Sequence, residues 1–177
     1  MINRPELDAL LPHYHVRTTH TVAVSASADR VYTALRTLDL SRSRIIRALF
    51  KLRGMPPMTL RAGGIASRPF ITLRDVPNHA VILGIIGQFW RPSGKLQHFA
   101  AEEFPSLNPP NTAKGLWSFH IEPDEPGGVR VITETRVYCT DRRSLIAFRC
   151  YWTLIAPFSS WIRREILRLL AAQARAA

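Results

Sequence analysis

The sequence predicts an α+β domain: one antiparallel sheet of seven strands, with helices gathered on one face and a long C-terminal helix packed against it. Two observations lead there. Residues 69–157 hold six apolar or alternating runs without helical periodicity, and an amphipathic helical segment follows Pro157. With 177 residues, 46% apolar and 21% charged, the chain has the size and balance of one core-forming domain spanning 1–177.

Residues 1–13 form an N-terminal extension. Residues 15–25 then alternate, placing Val16, Thr18, His20, Val22 and Val24 on one face of a strand with a single buried side. Ser27 is a candidate N-cap, Asp29 lies in the first turn, and Val31, Leu35 and Leu38 recur at helical spacing, so a short helix follows. A second short helix starts near Ser41 with Ile45, Leu49 and Leu52 on one side, until Gly54 and the Pro56-Pro57 pair end it.

Strands are expected at 70–76, 80–90, 96–103, 115–122, 129–139 and 144–156, separated by turn chemistry such as Pro77-Asn78, Pro92-Ser93-Gly94 and Asp141-Arg142. The final helix, 159–175, places Ile162, Ile166, Leu169, Leu170 and Gln173 on one face and Arg163, Arg164, Arg168 and Arg175 largely away from it. At about 1.5 Å per residue its core spans ~24 Å. A two-residue turn at Asp141-Arg142 sets the last expected hairpin. It places Glu134 opposite Arg149, Thr135 opposite Phe148 and Val131 opposite Trp152.

Bulk properties narrow the function classes. Cys139 and Cys150 lack metal-ligand spacing and a disulfide framework. The first fifteen residues carry no apolar export signal, and the longest apolar run, 80–86, is well below the ~20 residues that span a bilayer, so a cytoplasmic protein is expected. The net charge of +11 attracts anions at long range, but it is mostly arginine spread along the chain, which reads as a solvated basic surface and not a specific nucleic-acid footprint.

The segments LGIIGQFWRP, AKGLWSFHIEP, ITETRVYCTD and FRCYWTLIAPFSSWIRREILR, with the order of elements, resemble the SRPBCC superfamily: the START-like, helix-grip, polyketide cyclase-like group, and within it a bacterial subfamily. The resemblance covers nearly the whole chain. It implies a curved seven-stranded sheet wrapped around the C-terminal helix, enclosing a cavity that in various relatives holds lipids, sterols, polyketides or other hydrophobic molecules.

On the register above, Trp117, Phe119, Phe148 and Trp152 line that cavity, with Trp90 and Phe99 added from neighbouring strands. His20, Thr133 and Thr135 are the polar groups on the same faces, able to orient a carbonyl or hydroxyl. Glu134 and Arg136 form an outward ladder with Arg149, or, if the opposite face is the inward one, the charged pair for a polar ligand. Glu102 and Glu103 are adjacent in an expected strand and point apart, which excludes a two-carboxylate mechanism. No nucleophile elbow, zinc-protease, P-loop or dinucleotide motif occurs, so no catalytic residue, metal or cofactor is assigned.

The expected function is therefore binding of a small hydrophobic molecule, lipid-like or polyketide-like, between sheet and helix. A cyclase- or dehydratase-like enzyme using the same cavity is the alternative, with His20 as its acid or base. A third reading is a basic interaction module, in which residues 41–54, SRSRIIRALFKLRG, lie on an anionic membrane surface.

Overall fold

The structure, a computed structural model, describes residues 5–40, 43–44, 69–91, 93–124 and 127–176. The expected second helix, apart from Ser43 and Arg44, lies outside the described residues. Five strands appear: β1 (Val16–Val24), β2 (Ile71–Val76), β3 (Ala80–Gly87), β4 (Ala113–Asp124) and β5 (Gly128–Cys139). With them come three α-helices: α1 (Pro5–Leu10), α2 (Ala28–Thr37) and α3 (Arg142–Ala176). The strands form one antiparallel sheet in the order β1-β5-β4-β3-β2.

Two of the seven expected strands are absent among the described residues, each for a local reason. Residues 96–103 run as an irregular segment ending in a 3-10 turn at Ala101–Glu103, where Glu103 Oε2 accepts the Ala100 N–H at 2.7 Å. Glu102 and Glu103 thus sit on a turn. Residues 144–156 belong to α3, which runs unbroken for 35 residues through Pro157. Its start is set by a reciprocal cap: Asp141 Oδ1 accepts the Ser144 N–H at 2.8 Å, and the Asp141 N–H donates to Ser144 Oγ at 3.1 Å. The residues read as a hairpin turn are therefore a helix N-terminus. The expected pairings of Arg149, Phe148 and Trp152 with β5 do not form; the partners of β5 are β1 and β4.

Both sheet faces are covered. On one, α2 and the C-terminal half of α3 pack Val31, Ala34, Leu35, Ile166, Leu167 and Leu170 against Val24, Val81, Leu83, Trp117, Phe119, Ile121, Val129 and Val131. On the other, Leu7 and Leu11 from the α1 region join Ile82, Ile86, Leu116 and Phe104 in a second cluster. This explains why β4 and β5 are buried along most of their length, whereas β1, at the edge, alternates. A sheet gripping one long helix across a face is the helix-grip arrangement, here with five strands among the described residues instead of the seven expected.

The second cover corrects the reading of Glu134 and Arg136. Neither lies in an exposed ladder with Arg149: they are 1% and 3% exposed on the face beneath α1. Arg136 Nε donates to Glu134 Oε1 at 2.7 Å, its Nη1 reaches Asp8 Oδ1 at 2.5 Å and the Leu11 carbonyl at 3.2 Å, and Arg17 Nη2 donates to Glu134 Oε2 at 2.9 Å. Unpaired, each buried charge would be costly; together they satisfy one another and fasten α1 to the sheet.

Candidate functional site

The face beneath α3 is built by β1, β5 and β4, whose alternation aims every second side chain at the helix. Register pairs Thr18 with Thr135 and His20 with Thr133 across β1 and β5, and Trp117 with Thr135 and Phe119 with Thr133 across β5 and β4. The five residues His20, Trp117, Phe119, Thr133 and Thr135 therefore share one face, as expected from their alternation. Trp117 and Phe119 rings lie 4.8 Å apart, and Trp117 Nε1 donates to Thr133 Oγ1 at 2.7 Å.

The aromatic residues in the first part of α3, Phe148, Tyr151 and Trp152, gather further along the same face. Phe148 is buried with Ala113, Val137 and Cys139, and Trp90, Tyr151 and Trp152 pack on this cluster. The Phe148 and Trp152 rings stack at 5.6 Å. Phe99 is the exception among the expected lining residues: it packs on Phe104, ring centroids 5.6 Å apart, in the cluster on the opposite face. Its displacement follows from residues 96–103 not being a strand.

Between the two apolar clusters the character changes. Residues 149–164 of α3 contribute no buried residue, although Phe148 and Glu165 at either end are buried. On the sheet, Thr18 Oγ1, His20 Nε2 and Thr135 Oγ1 are buried and have no protein partner among the described residues. Thr135 is only 7% exposed. Buried hydroxyl and imidazole groups are normally hydrogen-bonded, so these three atoms are left for water or a bound molecule to satisfy.

Sequence reasoning placed Arg163 away from the helix stripe; the structure turns it inward. Its guanidinium lies 4.9 Å over the Trp117 ring, and its Nε is buried without a protein partner. Burial pulls its pKa down to about 10. The signal was available, because Arg163 continues the buried row Leu167, Leu170 and Ala174 at spacings of four, three and four. Burial, then the charges of Arg163 and Arg164, lowers the His20 pKa, so that imidazole is neutral near pH 7. Thr18 was also passed over, as one of several threonines in a strand rich in them.

Among the described residues no group of three or more His, Cys, Asp or Glu could hold a metal ion, and no helix is long and apolar enough to cross a membrane. The site can accept hydrogen bonds, donate them, and place one positive charge beside aromatic rings.

No family model matches the chain, and no curated protein matches it in sequence. Among solved structures it is similar to a hypothetical protein from Helicobacter pylori, at 9% identity over 98% of this chain and 96% of that one, with a TM-score of 0.48. It is similar also to a truncated norcoclaurine synthase from Thalictrum flavum, at 10% identity over 88% and 91% of the two chains, TM-score 0.44. The di-domain ARO/CYC StfQ of the steffimycin biosynthetic pathway aligns at 11% identity over 91% of this chain and 51% of its own, TM-score 0.42.

Proposed function

We propose that this protein binds a small hydrophobic molecule between the sheet and the middle of α3. One observation carries the reading: Thr18, His20 and Thr135 present buried, unpartnered polar atoms to a face flanked by Trp117, Phe119 and the Phe148 cluster. Apolar and aromatic walls would supply most of the affinity through burial, at about 25 cal/mol per Å² before the costs of association, and the few polar groups would fix orientation.

A second reading, a cyclase- or dehydratase-like reaction in the same place, is favoured by His20. Its neutral imidazole with a buried free Nε2 is in the state a general base requires. Native mass spectrometry of freshly purified protein, followed by extraction and identification of released small molecules, tests the binding reading. A stoichiometric apolar ligand is expected. An empty protein that also ignores panels of lipids and polyketides would overturn it.

A further inference from the structure

Arg163 is the cation that lies over the aromatic rings of this site, and among the described residues no anion pairs with it. Its Nε is buried without a protein partner, and its guanidinium makes no ion pair with a described carboxylate. The acidic residue nearest in sequence, Glu165, is engaged by Arg168 at 2.7 Å and by Ser43 Oγ at 3.0 Å. Glu134, on the sheet below, faces the other way and is held by Arg17 and Arg136. The sequence from 41 to 74 contains no Asp or Glu, so that stretch cannot supply a counterion either. A guanidinium partly taken from water without a carboxylate is costly, and the Trp117 face recovers only part of that cost.

Resting on the binding reading above, we infer that the ligand is an apolar carboxylic acid whose carboxylate pairs with Arg163 while its body lies against Trp117 and the aromatic cluster of Phe148 and Trp152. A carboxylate matches the guanidinium in charge and in its planar, two-point geometry. The remaining donors suit its oxygens: the hydroxyls of Thr18 and Thr135 lie on the same face, side by side across β1 and β5. His20, being neutral, adds a hydrogen bond without a second charge, which favours a monoanion over a phosphate dianion. By the same argument an alcohol or ester of equal size should be the poorer ligand: it would bury Arg163 further and leave it unpaired.

The experiment is isothermal titration calorimetry on the full chain with matched pairs: dodecanoate against 1-dodecanol, and 2-naphthylacetate against 2-(2-naphthyl)ethanol, with dodecyl phosphate alongside. At least one acid is expected to bind tenfold or more tightly than its alcohol. Arg163→Gln should abolish that preference, and Arg164→Gln, at an exposed neighbour, should preserve it. Should Arg163→Gln not fold, Arg163→Lys keeps the charge without the planar fork and is expected to retain part of the preference. Acid and alcohol binding equally well would overturn the inference and leave the binding reading standing. Tighter binding of dodecyl phosphate than of dodecanoate, or a preference that follows Arg164, would also overturn it. If no member of either pair binds, the inference falls as well, and the binding reading is decided by the native mass spectrometry and the lipid and polyketide panels.

Discussion

The Trp117 indole N–H donates to Thr133 Oγ1 across β4 and β5, while the guanidinium of Arg163 covers the indole face. The ring is thereby held at edge and face by two different elements. Thr133→Val keeps the shape but strips the indole of its acceptor, and a buried unsatisfied donor costs about 1–3 kcal/mol. Urea denaturation should show a loss of that size, whereas Thr133→Ser, which keeps the hydroxyl, should recover most of it.

Glu134 lies between Arg17 and Arg136. Replacing it with Gln takes the carboxylate from Arg17 and leaves the almost fully buried Arg136 with Asp8 as its one counterion, and a broken buried pair costs up to about 3–5 kcal/mol. Burial pushes the Glu134 carboxyl up, and the hydrogen bonds and charges of Arg17 and Arg136 more than reverse this, so its pKa ends below the usual value of 4.5. The stabilisation is therefore complete above pH 4.5 and is lost as pH falls through the lower folded value. In Glu134→Gln, acid denaturation should lose that component.

His15 and His20 act in the opposite half of the acid range. Both are lowered from 6.5, chiefly by burial, with Arg149 adding to the first and Arg163 and Arg164 to the second. Below 6.5 the unfolded chain takes up protons that the folded chain refuses, so stability is full above that pH and falls as pH drops toward the folded values. Protonation at His15 Nδ1 also breaks its 3.0 Å bond from the Cys139 N–H. Melting temperature followed from neutral pH downward should decline from this point, and a His15→Gln/His20→Gln double variant should flatten the decline.

Asp141 begins α3, and Asp141→Ala removes the acceptor that caps it. Loss of such a cap costs about 0.5–2 kcal/mol. Hydrogen exchange should rise first at residues 142–146, where the freed N–H groups lie. Exchange spreading equally over all of α3 would show that the helix is nucleated elsewhere.

The two thiols should differ sharply in reactivity. Burial, then the charge of Asp141, pushes Cys139 up to about 12, while Cys150 is exposed on α3. A maleimide near neutral pH should label the native protein at Cys150 alone, with Cys139 reacting only after unfolding. Mass mapping of the labelled peptide decides this.

Legibility differed by element for physical reasons. β1, β4 and β5 were readable because period-two alternation places a one-sided or two-sided burial pattern directly in the sequence, and their shared face put His20, Trp117, Phe119, Thr133 and Thr135 together. Residues 144–156 satisfy both periods: Ile146, Phe148, Cys150, Trp152 and Leu154 alternate, yet Ser144, Phe148, Tyr151 and Trp152 also fall on one helical face. The arbiter was Asp141 with Ser144 three residues on, a cap that resembles a turn until its partner bonds are seen. Glu134 and Arg136 were hidden differently, because nothing in β5 reveals that α1 returns to cover that face. Arg163 escaped because charge outweighed position; the row it continues is apolar everywhere else.

α3 behaves as a beam on two supports. One is the capped end with Ser144 and Phe148; the other is the stretch from Glu165 to Ala174 bedded against α2 and the sheet. Pro157 sits at midspan, where its missing N–H already forfeits the bond to the Thr153 carbonyl. Deflecting the span there strains a single weakened joint and disturbs neither footing. On the binding proposal, guests of different girth should then be admitted without loosening either anchor, with Arg163 and not the stiffness of the walls setting the selectivity.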